Sequence, residues 1–193
     1  MSENKNIPTL KSVNIRSKDM KRKLIMSSGH VELLQAFLRK TIGNEVVVIN
    51  TNIGTEIYYA SCQDYSNFIK DSILLYTIKN IDPQKLQFKH TENPNSVENN
   101  FRTALLTFAQ YPQLFLAYTK KFVFLRNNDR SSKIVMPALN NFFRKSLKFL
   151  VETKQIPVKS RILHNYEKVI GITHNNEIWG KLLSEILSRE HIN

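Results

Sequence analysis

Apolar residues recur along most of the chain at intervals of three and four. Between Lys18 and Lys40 they fall at Leu24, Ile25, Val31, Leu34, Phe37 and Leu38, the spacing that gathers them on one face of a helix. A glycine in "TIGN" breaks the pattern. In "EVVVIN" three adjacent valines look like a strand, but no strand pattern stands beside them, and a short buried helix fits the surroundings better. The turn "NTNIG" leads to a second short helix, "TEIYYAS", with Thr55 near its start, where a hydroxyl satisfies free backbone N–H groups. From Tyr65, "YSNFIKDSILLYTIKN" reads as a longer helix that stops before Pro83.

The second half is more regular. "NIDPQKLQFKHTENPNS" is loop-like. "SVENNFRTALLTFAQ" is amphipathic, with Ser96 as its N-cap, and Pro112 suits the first turn of the next helix, "FLAYTKKFVFL". Lys133 to Gln155 predicts a long helix with Leu139, Phe142, Phe143, Leu147 and Leu150 on one side and Arg144, Lys145 and Lys148 on the other. After Pro157, Ile162, Tyr166, Val169 and Ile170 share one helical face. In the last segment Ile178, Leu182 and Ile186 run beside Trp179, Leu183 and Leu187. The pattern predicts an all-α protein of about nine helices. Three short ones come first, after a flexible basic arm over residues 1–18.

Composition narrows the class. With 41% hydrophobic residues in 193, the chain can build a core. Only 5 glycines and 6 prolines disfavour turn-rich β architectures. One cysteine, Cys62, permits no intrachain disulfide and fits a reducing cytoplasm; with no Lys or Arg beside it, it reads as a buried, unreactive thiol. The start "MSENKNIPTL" lacks a signal-peptide core, and no apolar run approaches the ~20 residues that cross a bilayer. The Asn, Lys and Ile content hints at AT-rich, bacterial coding.

Charge directs attention to partners. The formal net charge is +12, a surplus that favours polyanions, nucleic acid before an anionic membrane. The arm (Arg16, Lys18 and Arg22 among others) is read as contacting phosphates. The basic residues from Lys120 to Lys154 read as a solvated face, with a second polyanion surface or an acidic protein partner as the alternative. No metal-ligand spacing, phosphate loop or nucleophile motif occurs, so the expectation is no enzyme activity, no cofactor and no metal. Phe101, Phe108, Phe115, Tyr118, Phe142 and Phe143 read either as plain core or as the lining of an apolar cavity for a small hydrophobic effector. The wide apolar faces of the last two helices (Ile162, Tyr166, Val169, Trp179, Leu182, Leu183, Ile186) suggest a homodimer.

The sequence resembles the TetR/AcrR family of bacterial transcriptional regulators. Val47-Val48 stands for its "I-A" pair, Asn52-Ile53-Gly54 for its "G-V-S" turn, and "YYASCQDYSNF" for its "L-Y-x-x-F-x-x-K-x-x-L". That resemblance implies a helix-turn-helix DNA-binding domain over 19–69 and a helical effector-binding and dimerisation domain over 70–193. It implies a repressor on double-stranded DNA, with a palindromic operator. The short helix after the turn then presents Thr55, Glu56, Tyr59 and Ser61 to the major groove, with Tyr59 on a phosphate and Lys70 nearby. The alternative is an adaptor of the same fold that binds a protein partner.

Overall fold

The computed structural model describes residues 7–18, 24–77, 82–129 and 131–153. It overturns the all-helical expectation. The order is β1 (Thr9–Ser17), α1 (Ser28–Ile42), β2 (Val46–Thr51), β3 (Gly54–Ser61), α2 (Ser66–Leu74), β4 (Leu86–Thr91), α3 (Pro94–Ala109), α4 (Pro112–Asn128) and α5 (Val135–Glu152). A 3-10 turn, Pro83–Lys85, leads into β4. Among the described residues there are therefore five α-helices and a four-stranded sheet. The helices expected after Pro157 lie outside the described residues, as does the whole proposed dimer face from Ile162 to Ile186.

The strands form an antiparallel sheet in the order β2-β3-β1-β4. With α1 and α2 as the crossovers, this is the split β-α-β, ferredoxin-like topology. Thr9–Ser17 of the supposed arm form an inner strand of that sheet. Thr9–Ile15 pair with Ser61–Thr55 on one side, and Ser12–Ser17 pair with Thr91–Leu86 on the other. "EVVVIN" is a strand after all. Its partner lies immediately beyond "NTNIG", where Thr51 pairs with Gly54 and Asn52-Ile53 form a two-residue hairpin loop. The Thr51 hydroxyl closes that loop, accepting from the Ile53 N–H at 3.2 Å. A glycine is needed at 54 for space: a Cβ there would lie 2.4 Å from the Ile15 carbonyl oxygen of β1.

The chain divides into two compact units, Met1–Asn100 with Arg126–Asn140, and Phe101–Leu125 with Asn141–Asn193. In the first, one sheet face carries Val13, Ile15, Val46, Val48, Ile57, Tyr59 and Leu86. These pack in one core with Val31, Leu34 and Leu38 of α1 and Ile69 and Ile73 of α2. Each such side chain contributes about 1.5–3 kcal/mol on burial. The other sheet face, with Leu10, Ser12, Val47, Ile49, Tyr58 and Ala60, is also buried, so these strands lack the in–out alternation that marks a half-exposed sheet. Lys11 is buried too; its ammonium reaches out to the Ser61 carbonyl at 2.6 Å and the Thr9 hydroxyl at 3.0 Å.

Helix ends follow local chemistry. Ser27 caps α1 by accepting from the His30 N–H, and Gly43, at φ 119°, ends it. Asn93 caps α3, accepting from the Asn95 N–H at 2.9 Å, so the expected cap at Ser96 is instead inside the helix. Pro112 opens α4 as its spacing predicts. The Glu45 side chain holds the start of α5, accepting from the backbone N–H groups of Lys133, Ile134 and Val135 and from the Ser132 hydroxyl. The edge of β2 is closed by α1: the Gln35 amide oxygen accepts from the Val48 N–H, and Arg39 donates to the Val46 carbonyl and pairs with Asp129. An edge capped in this way offers no free ladder to another strand.

Candidate nucleic-acid interface

The residues expected to read DNA do not form a reading head. Thr55, Glu56, Tyr59 and Ser61 belong to β3, not to a helix. Thr55 is fully buried and donates to Asn50 Oδ1 at 2.7 Å, and Asn50 in turn donates to the Met26 carbonyl. Glu56 is buried and accepts from the Tyr58 hydroxyl at 3.0 Å. Tyr59 is 1% exposed. Its hydroxyl donates to Asp64 Oδ1 at 2.7 Å and accepts from the Tyr65 N–H at 3.2 Å.

Asp64 also takes the Ser66 N–H and hydroxyl at the start of α2. Burial tends to raise the Asp64 carboxyl, but the bonds from Ser66 and Tyr59 outweigh it, and His90 adds to them, so it lies below its ordinary value. Burial first, then Asp64, push the Tyr59 phenol well above its ordinary value. This network ties a strand end to a helix start and leaves Tyr59 nothing to offer a phosphate.

The remaining predicted contacts are dispersed. Arg16 is exposed near the end of β1, Lys18 donates to the Gln84 carbonyl, and Lys70 lies 5.6 Å from the Phe88 ring centroid. Arg22 is outside the described residues. Cys62, expected to be buried, is exposed in the loop after β3.

Charge gathers elsewhere. In the first unit, basic and acidic side chains nearly balance among the described residues. In the second they do not: its described residues carry Arg102 on α3, Lys120 and Lys121 on α4, and Arg144, Lys145 and Lys148 on α5, against Glu152 alone. On α5, helical periodicity makes these cations a surface. On α5, Phe142, Phe143, Ser146, Leu147 and Leu150 are buried, which leaves Arg144, Lys145 and Lys148 together on the outer face. Glu152 meets Lys148 at 3.8 Å, both well exposed, a pairing that water and salt render weak.

Aromatic rings are interleaved with these cations. The Arg102 guanidinium sits 4.4 Å from the Phe149 ring centroid, joining α3 to the charged side of α5. On α4, Lys121 Nζ lies 5.8 Å from the ring of Phe124, which is 60% exposed. Beneath this surface lie the aromatics that had two readings. Phe101, Phe108, Phe115, Tyr118, Phe142 and Phe143 are all buried. Phe101 packs on Tyr118, Phe122 and Phe142 at 6.0–6.2 Å, Phe108 on Tyr118 at 5.1 Å, and Phe122 stacks on Phe143 at 4.5 Å. These residues fill one another's space as a core does.

The sequence pattern marks the basic run from Lys120 but does not mark Arg102, Phe124 and Phe149 as surface residues. Their signal is i, i+3 spacing of cation and ring on α4, and proximity across helices for Arg102, which sequence does not carry. Among the described residues no group of His, Cys, Asp and Glu side chains is placed to hold a metal ion, and no helix is long and apolar enough to cross a membrane. No protein-family model matches the chain, and no curated protein matches it. With the β-sheet, this removes the TetR/AcrR assignment and its helix-turn-helix.

Proposed function

We propose that this protein is a nucleic-acid-binding protein, and that the basic helical face of the second unit is its contact surface. The observation that carries this reading is the charge of the described helical residues: in the second unit Arg102, Lys120, Lys121, Arg144, Lys145 and Lys148 stand against Glu152, while the described cations and carboxylates of the sheet-containing unit nearly balance. Cations held on rigid helices exchange condensed counterions for phosphate contacts, which supplies affinity without base recognition. The reading keeps the polyanion partner and drops the operator, because the side chains meant to read base edges sit inside a sheet. It describes a binding module acting in the cytoplasm rather than an enzyme.

The test is fluorescence anisotropy with labelled oligonucleotides over a salt series. If Arg102, Lys120, Lys121, Arg144, Lys145 and Lys148 all engage, log affinity against log salt falls with a slope of about −4 on single strands. Lys145→Gln with Lys148→Gln reduces that slope by about 1.4 and leaves the far-UV circular dichroism unchanged. No binding at low salt, or equal binding by the double variant, refutes the proposal. So does binding to anionic vesicles with none to nucleic acid.

A further inference from the structure

Resting on the nucleic-acid reading above, we infer that this surface takes single-stranded nucleic acid in preference to duplex, with Phe124 as a base-stacking platform and Lys120 and Lys121 as its phosphate contacts. A large apolar ring that is 60% exposed gains nothing from a duplex, whose phosphates present only charge and whose bases are stacked out of reach. Unstacked bases have free faces, and aromatic rings and guanidinium planes are what they stack upon.

The geometry of α4 suits one nucleotide. Lys121 and Lys120 precede Phe124 by three and four residues, which places each beside Phe124 on the helix surface, its Cβ about 5–6 Å from that of the ring. That is comparable to the reach from a nucleotide's phosphate to its own base. Lys121 lies over the ring, 5.8 Å from its centroid, so a phosphate that draws this ammonium aside brings the attached base over the face it leaves. The second pair repeats the chemistry: the Arg102 guanidinium lies against the half-buried Phe149, a flat cationic face on an aromatic support, next to Lys145 and Lys148 on the same helix as Phe149. Two combinations of ring and cation on one helical unit are what a chain of unstacked nucleotides requires, and groove recognition needs neither.

The experiment compares the full chain on labelled oligo(dT) and on a labelled duplex of equal length, for wild type, Phe124→Ala, Phe124→Trp, and Lys145→Gln with Lys148→Gln. Single strands are expected to bind more tightly. Phe124→Ala is expected to weaken oligo(dT) binding by about tenfold and leave duplex binding unchanged. Phe124→Trp is expected to retain affinity and to show added tryptophan quenching on oligo(dT). Because Phe124 is exposed, its replacement spares the core, and circular dichroism verifies this. Tighter duplex binding overturns the inference, as does a Phe124→Ala variant that loses both ligands equally or neither. If the lysine variant loses both ligands while Phe124→Ala loses neither, the nucleic-acid reading stands and this inference falls. Absence of binding to either ligand sinks both.

Discussion

Replacing Glu45 tests how the start of α5 is held. Its backbone carbonyl is fixed at the head of β2 by the Ala60 N–H at 3.0 Å. Its carboxylate takes the Lys133 N–H at 2.7 Å, the Ile134 and Val135 N–H groups at 2.9 and 3.0 Å, and the Ser132 hydroxyl at 2.8 Å. The Ile134 and Val135 N–H groups are among those that no helix start satisfies internally, and the carboxylate meets the positive end of the helix dipole. A lost cap costs about 0.5–2 kcal/mol, and bonds to a charged acceptor about 1.5–3 kcal/mol. The contributions overlap and the residue is only half-buried, so Glu45→Ala is expected to cost about 2–3 kcal/mol, and Glu45→Gln, which keeps one acceptor oxygen, about 1–2 kcal/mol.

The pH dependence gives an independent sign. Burial raises the Glu45 carboxyl, but the three backbone bonds and the Ser132 hydroxyl outweigh it, leaving it below its ordinary value. A depressed folded value means that the charged form stabilises the fold. This contribution is complete above the ordinary glutamate value of about 4.3, and is lost as pH falls through the lower folded value. Urea unfolding followed by circular dichroism should show the gap between wild type and Glu45→Gln at neutral pH and its closure in acid, with an unchanged denaturant slope. A Glu45→Ala variant within about 0.5 kcal/mol of wild type, the ordinary scatter of surface substitutions, refutes the argument. So does a gap that widens in acid.

Two further substitutions examine the sheet. Gly54→Ala drives a methyl group into the Ile15 carbonyl oxygen at the β1–β3 pairing, and is expected to destabilise by about 3 kcal/mol in the same unfolding assay, as overpacking does; a neutral result would show that β1 yields at that point. Tyr59→Phe keeps the ring but removes the bonds to Asp64 and from the Tyr65 N–H. It is expected to cost about 1–2 kcal/mol and to speed amide exchange at the start of α2; unchanged exchange at Tyr65 and Ser66 contradicts that role.

Much of the helical part was legible. The segment from Lys133 and the turn at Pro112 were read close to their observed places, and the glycine of "TIGN" does end a helix. The candidate surface was half legible: Lys120, Lys121, Arg144, Lys145 and Lys148 stood out as a basic run, but their rings did not. The sheet was misread for a physical reason. β1 is paired on both edges and buried on both faces, so "TLKSVNIRS" shows no clean alternation and a buried lysine sits within it. The three valines of β2 show no partner in the local pattern, although it begins just past a two-residue turn.

What the sequence determined by itself is what neighbours in the chain determine: amphipathic helices, whose period is set within a few residues, and a charge surplus carried by composition. Only the tertiary structure decided that residues 9–17 are an inner strand, that Glu45 holds the start of α5, and that Arg102 lies over Phe149. Each of those depends on which distant segments come together, and the free energy of pairing and burial that brings them together is shared among residues no local pattern connects.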